Sequence, residues 1–188
     1  MQKNIMIVGV GGQGTLLASR ILGNLLVSRG YDVKVSEVHG MSQRGGSVVT
    51  YVKYGDKIYS PIIDKGEADI ILAFERLEAL RALPYLRKSG TMIVNDRAIA
   101  PMPVITGAAE YPDGILEELS RHAEVKSLDA LSVAESVGSV KAVNVVLIGV
   151  LAAKTDIPKE EWIDTIKSTV PPKFLDINLA AFEKGYAL

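Results

Sequence analysis

Cysteine is missing from the 188 residues altogether. That excludes disulfides, thiolate zinc sites and cysteine-ligated iron–sulfur clusters within the chain, and it fits a reducing compartment. Histidine is almost as scarce: His39 and His122 are the two present. They are too few to assemble a metal centre or a Ser-His-Asp constellation. No sign of charge prevails, since 21 Lys and Arg stand against 22 Asp and Glu for a formal net charge of -1. The global basic field on which nucleic-acid binding relies is therefore absent. No apolar run reaches the roughly 18 residues that span a bilayer; the longest, residues 142–153, is interrupted by Asn144. The opening MQKNIMIVGVGG lacks the apolar core and small-residue cleavage site of a secretory signal. These absences lead to an expectation of a cytoplasmic protein with neither a nucleic acid nor a membrane as partner.

What is there reads as an ordinary globular chain, 48% hydrophobic and 23% charged. Residues 4–10 (NIMIVGV) form a short apolar, β-branched run ending in glycines, the pattern of a buried strand. Leu16, Leu17, Ile21, Leu25 and Leu26 then recur at helical spacing up to Gly30. Residues 31–37 alternate as a second strand, which completes a βαβ unit. Further strands are predicted at 47–54, 68–74, 91–95 and 124–128, with a hairpin return at 57–60 and a short strand at Val104-Ile105. Helices are predicted at 75–83, stopped before Pro84, and at 114–122. From residue 129 onward the pattern is wholly helical, at 129–137, 141–154, 158–170 and 173–186. The expected architecture is α/β: a Rossmann-like, doubly wound, mainly parallel sheet with a helical C-terminal segment. It makes one domain over residues 1–188, with an α/β core to about 128 and helices from about 129.

Two motifs carry chemistry. Gly9-Val10-Gly11-Gly12-Gln13-Gly14 satisfies G-x-G-x-x-G directly after a predicted strand and at the start of a predicted helix. Glycines permit a tight turn and close backbone approach, and a helix start aims free N–H groups at an anion such as a phosphate. The alternative is that the glycines serve only close strand–helix packing. No Lys-Ser/Thr pair follows, so the turn is not a P-loop. A nicotinamide or flavin dinucleotide would need an acid about 20 residues on, for which Glu37 and Asp32 are available. The second motif, residues 38–46 (VHGMSQRGG), is a predicted loop at the C-terminal edge of the sheet. It holds His39, a candidate acid or base, and Arg44, able to clamp a phosphate or carboxylate through two parallel bonds. Ser42 and Gln43 are candidate hydrogen-bond donors or turn formers.

GVGGQG, then EVHGMSQRGG, ADIILAFERLEALR and AVNVVLIGVLAAK, in that order, resemble the gamma-type subunit family of pyruvate and other 2-oxoacid:ferredoxin oxidoreductases, and within it the free-standing small subunits of the indolepyruvate type. The resemblance implies an amino-acid catabolic oxidoreductase. Such enzymes decarboxylate a 2-oxoacid, pass the acyl group to coenzyme A and send two electrons to ferredoxin. Thiamine diphosphate, Mg and 4Fe-4S clusters are then expected on a large alpha subunit, the implied partner, with nothing bound covalently in this chain and no metal. Gly9, Gly11, Gly12, Gln13 and Gly14 match the family's glycine turn; His39, Gly40, Ser42, Gln43, Arg44, Gly45 and Gly46 match its second block. Coenzyme A is the implied co-substrate near these residues. Two other readings stay open: a non-catalytic scaffold whose loop docks on the partner, and an independent NAD(P)- or flavin-binding oxidoreductase.

Overall fold

The computed structural model describes residues 2–40 and 45–188. The strands β1 (Lys3–Val10), β2 (Asp32–His39), β3 (Ser47–Gly55), β4 (Ala68–Ala73), β5 (Leu86–Asn95) and β6 (Glu124–Leu128) form one sheet in the order β2-β3-β1-β4-β5-β6. β1, β4, β5 and β6 run parallel to one another, whereas β3 is antiparallel to both β1 and β2. The helices are α1 (Thr15–Ser28), α2 (Arg76–Ala82), α3 (Met102–Ile105), α4 (Ile115–His122), α5 (Ala130–Ser136), α6 (Val143–Ala153), α7 (Lys159–Thr169) and α8 (Leu175–Tyr186). None of them is long and apolar enough to cross a membrane.

The sheet is covered on both faces, and the two-residue period of a strand sorts its side chains between them. Ile5 and Ile7 of β1, Leu72 of β4 and Ile93 of β5 point into a core shared with α1 and the C-terminal helices. Their neighbours Met6, Val8, Ile71, Ala73, Met92 and Val94 point into a second core closed by Ala79 and Ala82 of α2 and by Ile115 and Leu119 of α4. The central strands are therefore apolar without alternation. Within the larger core α6 and α8 meet backbone to backbone. A Cβ on Gly149 would lie 2.4 Å from Phe182 O, and one on Gly185 would lie 2.0 Å from Val146 O. The close approach that Gly149 permits is made inside this chain.

Three local expectations change. β1 and β2 are not adjacent, because β3 is inserted between them. The connection from His39 to Ser47 is too short for a parallel crossover, so the chain can only return antiparallel. Residues 57–60 form no strand; the segment crosses the start of β2, where Ile58 N–H donates to Asp32 Oδ2 at 2.9 Å. Val104 and Ile105 belong to α3 rather than to a strand, since Pro101 and Pro103 set the backbone angles of a first helical turn.

Candidate functional site

The glycine turn lies at the C-terminal edge of the sheet, where the strand order reverses between β1 and β4. Open α/β sheets bind ligands in such a crevice. Gly14 caps α1 with a left-handed backbone, φ 85°, and has no side chain to close the helix start. Gly12 is also left-handed, φ 102°, with open space where a Cβ would be. Two of the turn's amides are engaged: Gly11 N–H donates to Gly46 O at 2.8 Å, and Gln13 N–H to Val10 O at 3.2 Å. Among the described residues, the N–H groups of Gly12, Gly14, Thr15 and Leu16 meet no backbone acceptor. They are the donors that a helix start offers to an anion.

The Gln13 side chain braces the turn from within. Its Oε1 accepts from Val10 N–H at 2.7 Å and its Nε2 donates to Phe74 O at 3.0 Å. Asn95 Nδ2 donates to the same carbonyl at 3.1 Å and its Oδ1 accepts from Ala130 N–H at 3.0 Å, so the ends of β4, β5 and the start of α5 are tied together. Gly9 is needed here because a Cβ would lie 2.8 Å from Gln13 Oε1 and 2.9 Å from Phe74 Cβ.

The four sequence blocks that stand far apart in the chain meet at this turn. Gly45 N–H donates to Gly11 O at 3.2 Å, which fastens the second block to the first. Ser47, directly after the second block, donates from Oγ to Glu78 Oε2 of the third at 2.5 Å, and Arg81 Nη1 of that same third block donates to Glu78 Oε1 at 2.7 Å. Asn144 of the fourth block donates from Nδ2 to Gly14 O at 3.3 Å. Of the candidates in the second block, Ser42, Gln43 and Arg44 lie outside the described residues. His39 ends β2 on the surface, with Nδ1 3.0 Å from Gly40 O.

Two clefts flank the turn. On the β2 side a cleft of about 480 Å³ is lined by Gly11, Gly12, Gly14, Leu16, Glu37 and His39. On the α6 side a cleft of about 430 Å³ runs between Gly12–Gly14 and Val140, Lys141 and Val143, over Asn95, Arg97 and Leu131. The electrostatics differ: the first holds a carboxylate, the second two cations. Arg97 and Lys141 are exposed, and neither makes an ion pair among the described residues. Asp129, which feels Arg97, is held below the ordinary carboxylate range mainly by the Ser132 hydroxyl. Glu37 stands at the end of β2, two strand spacings from β1, or roughly 10 Å. A dinucleotide site has its acid one spacing away, so β3 displaces Glu37 from that role.

Sequence reasoning passed over Glu75, Asn95, Arg97, Lys141 and Asn144. Glu75 is 1% exposed and caps α2: its Oε2 accepts from Glu78 N–H at 2.9 Å, and its Oε1 takes Ile99 N–H at 3.0 Å and the Tyr111 hydroxyl. Burial and then the bond to Glu75 push the Tyr111 hydroxyl well above its usual range. Glu75 thus pins the irregular stretch after β5 to the end of β4. A charged residue directly after a buried strand was the available signal, and Asn144 inside an apolar run was another.

The fold and this edge define the class, a Rossmann-like α/β module with its glycine turn opening on a crevice. The chain belongs to the pyruvate ferredoxin/flavodoxin oxidoreductase family, whose model matches residues 4–188. It is 45% identical to the indolepyruvate oxidoreductase subunit IorB of Pyrococcus horikoshii, covering 98% of this chain and 94% of that one. Among solved structures, pyruvate oxidoreductase subunit PORC from Thermotoga maritima superposes with a TM-score of 0.75 at 19% identity, covering 99% of this chain and 96% of that one. The 2-oxoglutarate:ferredoxin oxidoreductase from Magnetococcus marinus, solved with 2-oxoglutarate, coenzyme A and succinyl-CoA bound, superposes with a TM-score of 0.70 at 17% identity. There 99% of this chain corresponds to 30% of a longer one.

Proposed function

We propose that the chain is the small subunit of an indolepyruvate-type 2-oxoacid:ferredoxin oxidoreductase, and that its α6-side cleft receives the phosphate end of coenzyme A. The supporting observation is that cleft's chemistry: it is lined by Gly12 and Gly14, whose amides are open, and by Arg97 and Lys141, two cations that form no ion pair among the described residues. A phosphate ester needs such donors and charges. Leu131, Val140 and Val143 offer apolar contact to the rest of the molecule. The family placement and the 45% identical subunit support the reading. Ser42, Gln43 and Arg44 are further candidates for holding the co-substrate, and His39, which lines the β2-side cleft, is a candidate acid or base.

Thiamine diphosphate, Mg and 4Fe-4S clusters do not fit this chain. It has no thiolate for a cluster, and no group of three metal-ligating side chains occurs among its described residues. Those groups would sit on the large subunit, which would also pass electrons to ferredoxin, and this chain would be inactive alone. Its own residues would bind and orient the coenzyme A phosphates so that the thiol reaches the acyl intermediate held by the partner.

The test is co-production with the large subunit and assay of coenzyme A-dependent ferredoxin reduction with an aryl 2-oxoacid. Arg97→Ala and Lys141→Ala should each raise the KM for coenzyme A about tenfold, the loss of one charge-assisted contact, and leave the 2-oxoacid KM unchanged. No assembly, or no change in that KM, would overturn the proposal. A scaffold role has its own support: Leu16, Val38, Met102, Ile105 and Val140 are large apolar side chains exposed around this same edge. If the edge only docks, Ile105→Asp would abolish assembly while the two cation variants left the kinetics intact.

A further inference from the structure

Asn144 occupies a position that its place in an apolar helix does not explain. Its side chain is buried, the residue being 5% exposed, and both ends of its amide are engaged. Nδ2 donates to Gly14 O at 3.3 Å, the carbonyl at the start of α1. Oδ1 accepts from Val145 N–H at 2.9 Å, in the first turn of α6. The side chain also fills the space that Gly14 leaves, since a Cβ on Gly14 would lie 2.7 Å from Asn144 Nδ2. The two helix starts it joins carry the facing walls of the α6-side cleft, Gly12–Gly14 on one and Val140–Val143 on the other. An apolar residue here would leave Val145 N–H without its acceptor and drop the link between walls. A cavity-filling role alone would not require a donor at one end and an acceptor at the other.

We propose that Asn144 is a positioning residue: it fixes Gly14 against α6 and so sets the separation of the walls between which the ligand binds. The kinetic part of this inference rests on the coenzyme A reading above; the structural part does not. Two variants separate the properties of the side chain. Asn144→Ala removes it, and Asn144→Asp keeps its shape and acceptor but replaces the donor with a charge facing the Gly14 carbonyl. A control is Asn178→Ala, because Asn178 is a comparably buried amide that donates to Phe174 O at 2.8 Å within the C-terminal helices, away from the cleft.

In the assembled complex, amide hydrogen exchange at residues 12–16 and 143–145 should quicken about three- to tenfold in both Asn144 variants, the equivalent of one weak hydrogen bond, with the rest of α6 unchanged. The KM for coenzyme A should rise by a similar factor while kcat and the 2-oxoacid KM hold. Asn178→Ala should lower the melting temperature without moving that KM. Exchange unchanged at 12–16 in both variants, or raised evenly through the chain, overturns the inference. So does a KM raised by Arg97→Ala but unmoved by either Asn144 variant. If neither Arg97→Ala nor the Asn144 variants move the KM while exchange rises locally, the coenzyme A reading falls and the positioning of Gly14 by Asn144 stands.

Discussion

At the C-terminal end of the strands the chain places glycines, open amides and exposed apolar side chains; at the opposite end it places charge. There a crevice of about 540 Å³, larger than either cleft at the glycine turn, is lined by four cations and four carboxylates. Most of these charges answer one another. Asp69, itself buried, takes Arg87 at 2.5 Å and Lys3 at 3.9 Å; Lys154 meets Glu124 at 3.0 Å; Arg29 turns away to Glu161 at 2.6 Å. Size is therefore a poor guide to where a ligand goes. The larger hollow has little charge left to offer, while the smaller cleft holds two cations that form no ion pair among the described residues, beside the Gly12 and Gly14 amides.

The sharpest way to break the contrast is a single methyl group at the glycine turn. Gly14→Ala puts a Cβ against Asn144 and forces a left-handed backbone on alanine, which costs about 1–3 kcal/mol. We expect the KM for coenzyme A to rise at least tenfold in steady-state assays of the complex, together with a lower melting temperature. At the other end, Arg87→Ala should cost about 1–3 kcal/mol in denaturant unfolding, because among the described residues Asp69 Oδ1 then keeps the distant Lys3 alone as ion-pair partner. The contact it loses is an ion pair rather than a well-directed hydrogen bond, for Oδ1 has no hydrogen-bond donor in line with it. Its KM for coenzyme A should not move; if it does, the two ends are coupled.

The smallest effect concerns Tyr54, which packs edge-on against Tyr31 with ring centroids 5.3 Å apart in the charged crevice. Burial pushes its hydroxyl up to about 12 from an ordinary 10.0. A group whose value is raised by folding contributes stability that is complete below the unfolded value and is lost as pH climbs through the folded one. The melting temperature of the wild-type protein should thus fall between pH 10 and about 12, and Tyr54→Phe should flatten part of that decline.

Much of the layout was legible from pattern alone. Strands apolar on both faces announced a covered sheet, and the glycines between β1 and α1 announced the turn, because each depends on residues close in sequence. The position of β3 was not, since pairing between β1 and β2 is decided by the shortness of the 40–46 connection and not by anything in β3 itself. α3 was misjudged because two β-branched residues read as strand, while the prolines beside them govern the backbone. The site was legible by halves. Gly12 and Gly14 declare themselves through the backbone they permit, whereas Gln13, which reads as part of a binding motif, turns both ends of its amide inward. Arg97 and Lys141 were invisible because they matter only through a cleft shared with the distant glycine turn, and the interruption of an apolar run by Asn144 was visible while its partner was not, that bond to Gly14 spanning 130 positions of chain.

The contact between α6 and α8 gives that bond a further meaning. With main chain resting on main chain at Gly149 and Gly185, no rotamer is available to absorb a shift, so the pair behaves as one rigid strut. Asn144 is mounted on its near end. The wall that α6 offers to some of the first residues of the chain is thereby backed, at Gly185, by main chain from its last helix.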